Sequence, residues 1–151
     1  MNDANAPRSL DRLGLEVLSD EECWRLVGSA PVGRVAVVAA GQPVILPINH
    51  LLVGHHVVFL TAPGTKLSAA VVQQPIAFEV DAWNAKDRHG WSVIVEGVAS
   101  LVTDPAEIHQ LDALGLEPWA GSDQQTEWVK IVPHDISGRI VRGALHAEIT
   151  S

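Results

Sequence analysis

Gly33-Arg34-Val35-Ala36-Val37-Val38-Ala39, then Ala40-Gly41-Gln42-Pro43, then Val44-Ile45-Leu46-Pro47-Ile48-Asn49-His50-Leu51 is the stretch on which the fold turns. The first run is rich in β-branched residues, the middle is a tight turn, and the last run returns as a second strand. Pro47 has no N–H to give to a ladder, so the returning strand lies at a sheet edge or bulges there.

The pattern repeats downstream. Gly54-His55-His56 predicts the next turn and Val57-Val58-Phe59-Leu60-Thr61 a third strand. Ala62-Pro63-Gly64-Thr65 breaks that strand, and a short helix is predicted from Lys66 to about Gln73, ended by Pro75. A fourth strand is predicted over 76–81, a polar loop over 84–90, and a long fifth strand over about 91–102. Asp104-Pro105-Ala106-Glu107 combines a capping carboxylate, a first-turn proline and an acidic residue, and starts a helix that fades near Leu114-Gly115. After a loop of Pro, Gly and Trp residues, Trp128 to Val132 and Gly138 to Val141 form a last strand pair, or one strand bulged at Pro133. Upstream, Ser19 with Glu22 three residues later forms a capping box, Leu18 can staple onto Cys23, and that helix ends near Gly28. Residues 1–14 are expected to be a flexible arm, and residues 15–151 one domain.

About six strands at hairpin spacing with three short helices predict a mainly β protein, a closed or nearly closed antiparallel barrel. Helices and strands do not alternate, and no G-x-G-x-x-G follows a strand, which argues against a dinucleotide-binding α/β fold. At 151 residues the chain is long enough for one domain that buries about 68–70% of its unfolded surface. No apolar run approaches the roughly 20 residues that span a bilayer, so no membrane partner is expected. Ten basic against eighteen acidic residues, a net charge of −8, disfavour nucleic acid as a partner. Cys23 is the only cysteine, which fits a reducing cytoplasm.

The chemistry concentrates in three places. At Thr61-Ala62-Pro63-Gly64-Thr65-Lys66-Leu67 a strand ends, a Pro-Gly turn exposes amides, and a helix begins. Unpaired helix-start N–H groups, two hydroxyls and the Lys66 ammonium suit an anion such as a terminal phosphate. An ordinary helix cap with a solvated lysine is the alternative. Gly90-Trp91-Ser92-Val93 places an indole and a hydroxyl at a strand mouth, fit to flank a planar ring or to pack a core. The interrupted strand Pro47-Ile48-Asn49-His50 leaves backbone groups free for a ring's polar edge. The seven histidines show no metal-binding spacing, so no metal is expected. No residue stands out as a nucleophile, acid or base.

These segments, with Pro31-Val32-Gly33-Arg34, Phe78-Glu79-Val80-Asp81, Trp128-Val129-Lys130-Ile131 and Ser137-Gly138-Arg139, occur in the order and spacing of a known group. The chain resembles, over about 18–142, actinobacterial proteins of the pyridoxamine 5′-phosphate oxidase-like family. The resemblance implies a six-stranded antiparallel split β-barrel with a few short helices, and a homodimer with FMN sites at its interface. It puts the phosphate near Thr61, Thr65, Lys66 and Leu67, and the ring near Pro47, Ile48, Asn49, His50, Trp91, Ser92 and Val93. Arg139 contributes from the partner strand.

Relatives commonly carry an arginine at the position of Leu60 that pairs with the flavin phosphate, so weaker or altered cofactor use is implied here. The function so implied is an FMN-dependent oxidoreductase acting on an unidentified small molecule. The alternatives are a deazaflavin-dependent reductase on the same barrel, a non-catalytic protein holding a flavin, haem or other tetrapyrrole, and a degenerate paralogue that pads a heterodimer. Nothing supplies a second cluster of basic residues for pyridoxamine phosphate as substrate.

Overall fold

The structure is a computed structural model that describes residues 8–118 and 125–143. Its elements run β1 (Glu16–Val17), α1 (Asp20–Ser29), β2 (Val32–Ala39), β3 (Gln42–Asn49), β4 (Leu51–Val53), β5 (His56–Thr61), α2 (Lys66–Ala70), β6 (Gln74–Asn84), β7 (His89–Leu101), α3 (Pro105–Asp112) and β8 (Glu127–Val141). Seven strands follow the order β3-β2-β6-β7-β8-β5-β4, with β1 added against β8, and every pairing is antiparallel. Against the six strands that the sequence predicts, the sheet holds eight. The additions, β1 and β4, span two and three residues and are too short to carry a period-two signal.

The β2–β3 hairpin is tighter than its four-residue turn motif implies. Ala39 pairs with Gln42, and Ala40 and Gly41 between them take φ of 49° and 76°. Two left-handed residues in a two-residue loop form the turn whose twist matches a hairpin. Their register carries Pro43 and Pro47 onto the open edge of the sheet, as a donor-less residue requires.

The β6–β7 hairpin is longer than the pattern predicts. It pairs from Gln74–Ala99 to Asn84–His89, so residues 82–84 are strand as well and the loop shrinks to four residues. At the C-terminal end a single strand, β8, replaces the alternative of two. Gly97 faces Pro133 while Glu96 faces Asp135, which leaves His134 as the extra residue of a bulge.

Alternation sets the core. Val35 and Val37 of β2 point inward while Arg34, Ala36 and Val38 point outward, and Phe59, Phe78, Val95 and Ile131 meet inside with no exposure. Gly33 is required by this packing, because a Cβ there would lie 2.2 Å from Phe78 Cζ. The capping box forms, with Glu22 N donating to Ser19 Oγ at 3.2 Å and Ser19 N donating to the Glu22 carboxylate at 2.9 Å. Helix α1 then closes one side of the core through Cys23, Trp24 and Val27. Cys23 and Leu18 lie over Gly138, where a Cβ would come within 2.6 Å of the sulfur.

A smaller cluster joins Val58, Val102, Leu111 and Trp128 under α3, and Trp128 Nε1 donates to Asp112 Oδ1 at 2.7 Å. Among the described residues, no helix is long and apolar enough to cross a membrane, and no group of side chains is arranged to hold a metal.

Candidate functional site

The strand order brings the C-terminal end of β3 beside the end of β5 and the first turn of α2. A cavity of about 290 Å³ opens between them. Pro47, Ile48, Asn49, Thr61, Thr65 and Leu67, all singled out in the sequence, line it together. The walls are largely apolar, from Leu46, Ile48, Leu60 and Leu67, with Asn49 and the threonines as polar points. This is the composition of a small-molecule site, apolar walls with few placed polar groups.

The turn that enters α2 is built from its own residues. Gly64 takes φ of 78°, a conformation that suits glycine. Thr65 Oγ1 donates to Ala62 O at 2.8 Å and accepts from Ser68 N at 3.1 Å. A hydroxyl has one proton, so in the 3.4 Å contact between the two hydroxyls Thr61 is the donor. Both hydroxyl protons are therefore engaged within the turn, and Thr61 Oγ1 is left with lone pairs that can accept from a ligand. Lys66 and Leu67, as the first two helical residues, have N–H groups with no acceptor inside the helix.

Lys66 does not line this cavity. It faces a neighbouring one of about 520 Å³, together with Gln42, Val44, Ala69, Ala70 and Gln74. Successive helical residues point about 100° apart, so the side chains of Lys66 and Leu67 leave the first turn of α2 toward different hollows. Among the described lining residues of the first cavity the only ionisable one is Glu117.

Trp91, Ser92 and Arg139 lie together elsewhere, around a third cavity of about 310 Å³ that also takes in Trp83 and Asp81. Ser92 and Arg139 are directly opposed across β7 and β8. Arg139 is already engaged, donating from Nε to Asp11 Oδ2 at 2.8 Å and from Nη1 to Gly138 O at 2.9 Å. The hydrogen bond from Arg139, reinforced by the N–H groups of Leu15 and Leu13, holds the Asp11 carboxyl below its usual range.

Val93 has no exposure and belongs to the core. His50 is buried as well: its Nε2 pairs with Val27 O at 2.9 Å and its ring meets Phe78 edge-on at 4.7 Å. Its Nδ1 has no partner among the described residues, and burial pushes its pKa below the ordinary value despite the bond to Val27. Cys23 is fully buried, and burial first, then the Asp20 and Glu22 charges, push its thiol up, which removes it as a nucleophile.

Leu116, Glu117, Pro118 and Thr126 also border the first cavity, and sequence reasoning did not find them. They flank the stretch 119–124, which lies outside the described residues together with part of the expected Pro/Gly/Trp loop. The only local signal was loop composition, which carries no chemistry.

The family model described as pyridoxamine 5′-phosphate oxidase matches residues 19–140. An uncharacterised protein of Mycobacterium tuberculosis is 37% identical over 130 residues, covering 82% of this chain and 84% of that one. Among solved structures, the chain is similar to an FAD-binding protein from Mycobacterium smegmatis, with a TM-score of 0.75 and 38% identity, covering 83% of this chain and 98% of that one. It is also similar to a conserved protein of unknown function from Corynebacterium diphtheriae, with a TM-score of 0.71 and 30% identity over 83% and 96% of the two chains. With a curled antiparallel sheet shared with flavin-binding neighbours and a family match across most of its length, the chain belongs to the pyridoxamine 5′-phosphate oxidase family and has its split-barrel fold.

Proposed function

We propose that the protein is a flavin-dependent oxidoreductase that acts as a cytoplasmic homodimer, with FMN as the minimal cofactor at each of two sites. The observation that carries the reading is the cavity between β3, β5 and α2. Its apolar walls fit the faces of a flat aromatic ring, and the outer edge of β3 offers unpaired backbone groups to the ring's polar rim. Asn49 and the Thr61 hydroxyl, whose oxygen can accept, add two side-chain contacts. The phosphate of FMN lies over the first turn of α2, held by the N–H groups of Lys66 and Leu67 and reached by the Lys66 ammonium from the adjoining hollow.

A bound flavin supplies the electron transfer. The residues of the chain hold it, orient it and keep water off it through Leu46, Ile48, Leu60 and Leu67. No side chain is assigned as acid or base.

Two observations support the homodimer. Within one chain the group of Trp91, Ser92 and Arg139 shares no lining residue with the flavin cavity, so for that group to reach the flavin a second copy is needed. The outer face of the sheet also carries a row of exposed apolar side chains, Val38, Ile45, Val98 and Val132, of the kind that marks an interaction surface.

Titration of the purified protein with FMN tests the reading. Uptake at micromolar or better affinity is expected, followed by reduction of the bound flavin by a nicotinamide cofactor under anaerobic conditions. A parallel titration with the deazaflavin coenzyme separates the two cofactors, and a clear preference for deazaflavin overturns the FMN assignment. Flavin uptake without reduction leaves a binding protein rather than an enzyme. Sedimentation as a monomer in the presence of saturating flavin refutes the homodimer.

A further inference from the structure

Resting on the flavin reading, we infer that residues 9–15 form an autoinhibitory strap in which Asp11 holds Arg139 in the place of a ligand's anionic group. The strap has to swing out before Arg139 serves a flavin. Asp11 Oδ2 accepts from Arg139 Nε at 2.8 Å. Asp81, the carboxylate that lines the Arg139 hollow, is instead taken by Arg34 at 3.2 Å. Leu15, at the end of the strap, is a wall of that hollow beside Trp83, Trp91 and Ser92. One short segment thus occupies the guanidinium and closes the space next to it.

The strap keeps its own shape. Asp11 Oδ1 accepts from the N–H groups of Leu13 and Leu15 at 2.9 and 3.0 Å. Asp11 N donates to Leu15 O at 2.9 Å, and Gly14 N donates to Asp11 O at 3.0 Å. Gly14 supplies the left-handed φ of 78° within this turn. The two carboxylate oxygens therefore divide the work: one folds the turn and the other presents a preformed acceptor to Arg139.

Its attachment to the barrel is slight by comparison. The strap hangs from β1, whose two residues pair with Ile140 and Arg139 of β8. Val17 N donates to Ser9 O at 2.9 Å, Leu10 bridges Glu16, and just upstream Arg8 pairs with Glu16 and Glu22. Leu10 and Leu13 are 64% and 84% exposed, so lifting the strap uncovers little apolar surface. Segments with exposed hydrogen bonds and few buried apolar contacts are the first to open. Because the turn 11–15 is closed on itself, it leaves as a unit, with its hinge between Leu15 and Glu16.

Calorimetric titration with FMN of the full-length protein, Asp11→Asn, Arg139→Ala and the double variant tests the inference. Asparagine keeps the oxygen that folds the turn and puts an amide nitrogen, which cannot accept, where Arg139 binds. An exposed ion pair shifts an equilibrium by up to about fivefold. Asp11→Asn is therefore expected to bind FMN about three- to fivefold more tightly, as the competent fraction rises. In the Arg139→Ala background the same substitution is expected to change nothing. Trypsin, with mass spectrometry of the fragments, reads the strap directly through the exposed Arg12. Cleavage after Arg12 is expected to quicken in Asp11→Asn and in the parent protein saturated with FMN. Unchanged or weaker FMN binding by Asp11→Asn, a gain that persists without Arg139, or FMN that leaves the cleavage unchanged or slower overturns the strap while the flavin reading stands. Failure of the parent and every variant to bind FMN removes the flavin reading itself, and the role of the strap with it.

Discussion

Replacing Gly33 by alanine adds one methyl group to β2, and the structure says what it meets. The new carbon lies 2.2 and 2.3 Å from two ring atoms of Phe78 and 2.9 Å from the carbonyl oxygen of Glu79. The carbonyl belongs to the neighbouring strand and cannot step aside without breaking the ladder, so the ring must move. Phe78 is fully buried and its ring is packed edge-on against the His50 ring at 4.7 Å. Overpacking in a tight core costs about 1–3 kcal/mol, and with both escape routes closed the upper end, about 3 kcal/mol, is the prediction. For a chain of this size each kcal/mol lowers Tm by about 2–4 °C, so a fall of roughly 6–12 °C follows.

Scanning calorimetry of the flavin-free protein measures this. A second variant keeps the reasoning testable. Phe78→Leu shortens the ring, so in the Gly33→Ala background it relieves the clash, and the double variant loses less than the two single losses together. Coupling of about 1–2 kcal/mol is expected, within the range for residues in contact. A Gly33→Ala protein that melts within 2 °C of the parent, or losses that simply add, refutes the claim that Phe78 occupies the space over this glycine.

Three further outcomes are expected. Burial lowers the pKa of His50 from the ordinary 6.5, so as pH falls the unfolded chain takes up this proton before the folded one. Its contribution is therefore complete above about pH 6.5 and is lost progressively below it. The drop in Tm between pH 7.5 and 5.5 is expected to shrink in His50→Gln, whose amide still reaches Val27 O, and an unchanged drop counts against the assignment. Leu60→Arg puts a guanidinium in the wall of the flavin cavity, and a charged hydrogen bond of about 1.5–3 kcal/mol tightens FMN about ten- to a hundredfold. Calorimetric affinity that does not rise places the phosphate away from β5. Ala40→Asn relieves a non-glycine residue held at φ 49° and is expected to add about 1 kcal/mol, which thermal melting reads as a rise of about 2–4 °C.

The parts of the fold that were legible in the sequence are those where a local rule and the tertiary structure agree. The capping box of α1, the Asp104-Pro105 start of α3 and the Ala40-Gly41 turn each satisfy their own backbone. The strand end at 82–84 was not legible, because these residues join a ladder whose stability comes from pairing with β7 rather than from a period-two pattern of their own. The same division runs through the site. Pro47 to Asn49 and Thr61 to Leu67 carried visible signals, and the strand order brings them to one cavity.

A contiguous motif is a poor guide to what faces a ligand, however. On β7 the side chains of Ser92 and Val93 leave opposite faces, so one lines a surface cavity while the other is core. On α2 the same holds for Lys66 and Leu67 at helical spacing. Sequence spacing identifies such blocks, and only the direction of each side chain sorts them.

The prolines of β3 show how an edge serves both folding and binding. Pro43 and Pro47 stand opposite Val38 and Arg34, four residues apart and so in the same class of register pair. The eight-pair register with β2 is unbroken, so an N–H at those two positions would point away from β2, toward the open edge. Each proline removes one outward donor and keeps its outward carbonyl. An edge thinned in this way is a poor template for another chain, because a pairing strand needs donors and acceptors in alternation. Pairing is thereby discouraged along the whole of β3, while its C-terminal end keeps the backbone carbonyls of Pro47 and Asn49 beside an apolar cavity. A ligand satisfies such isolated groups singly, which a strand cannot do, and the edge therefore rejects pairing with another strand and accepts a small flat molecule for the same reason.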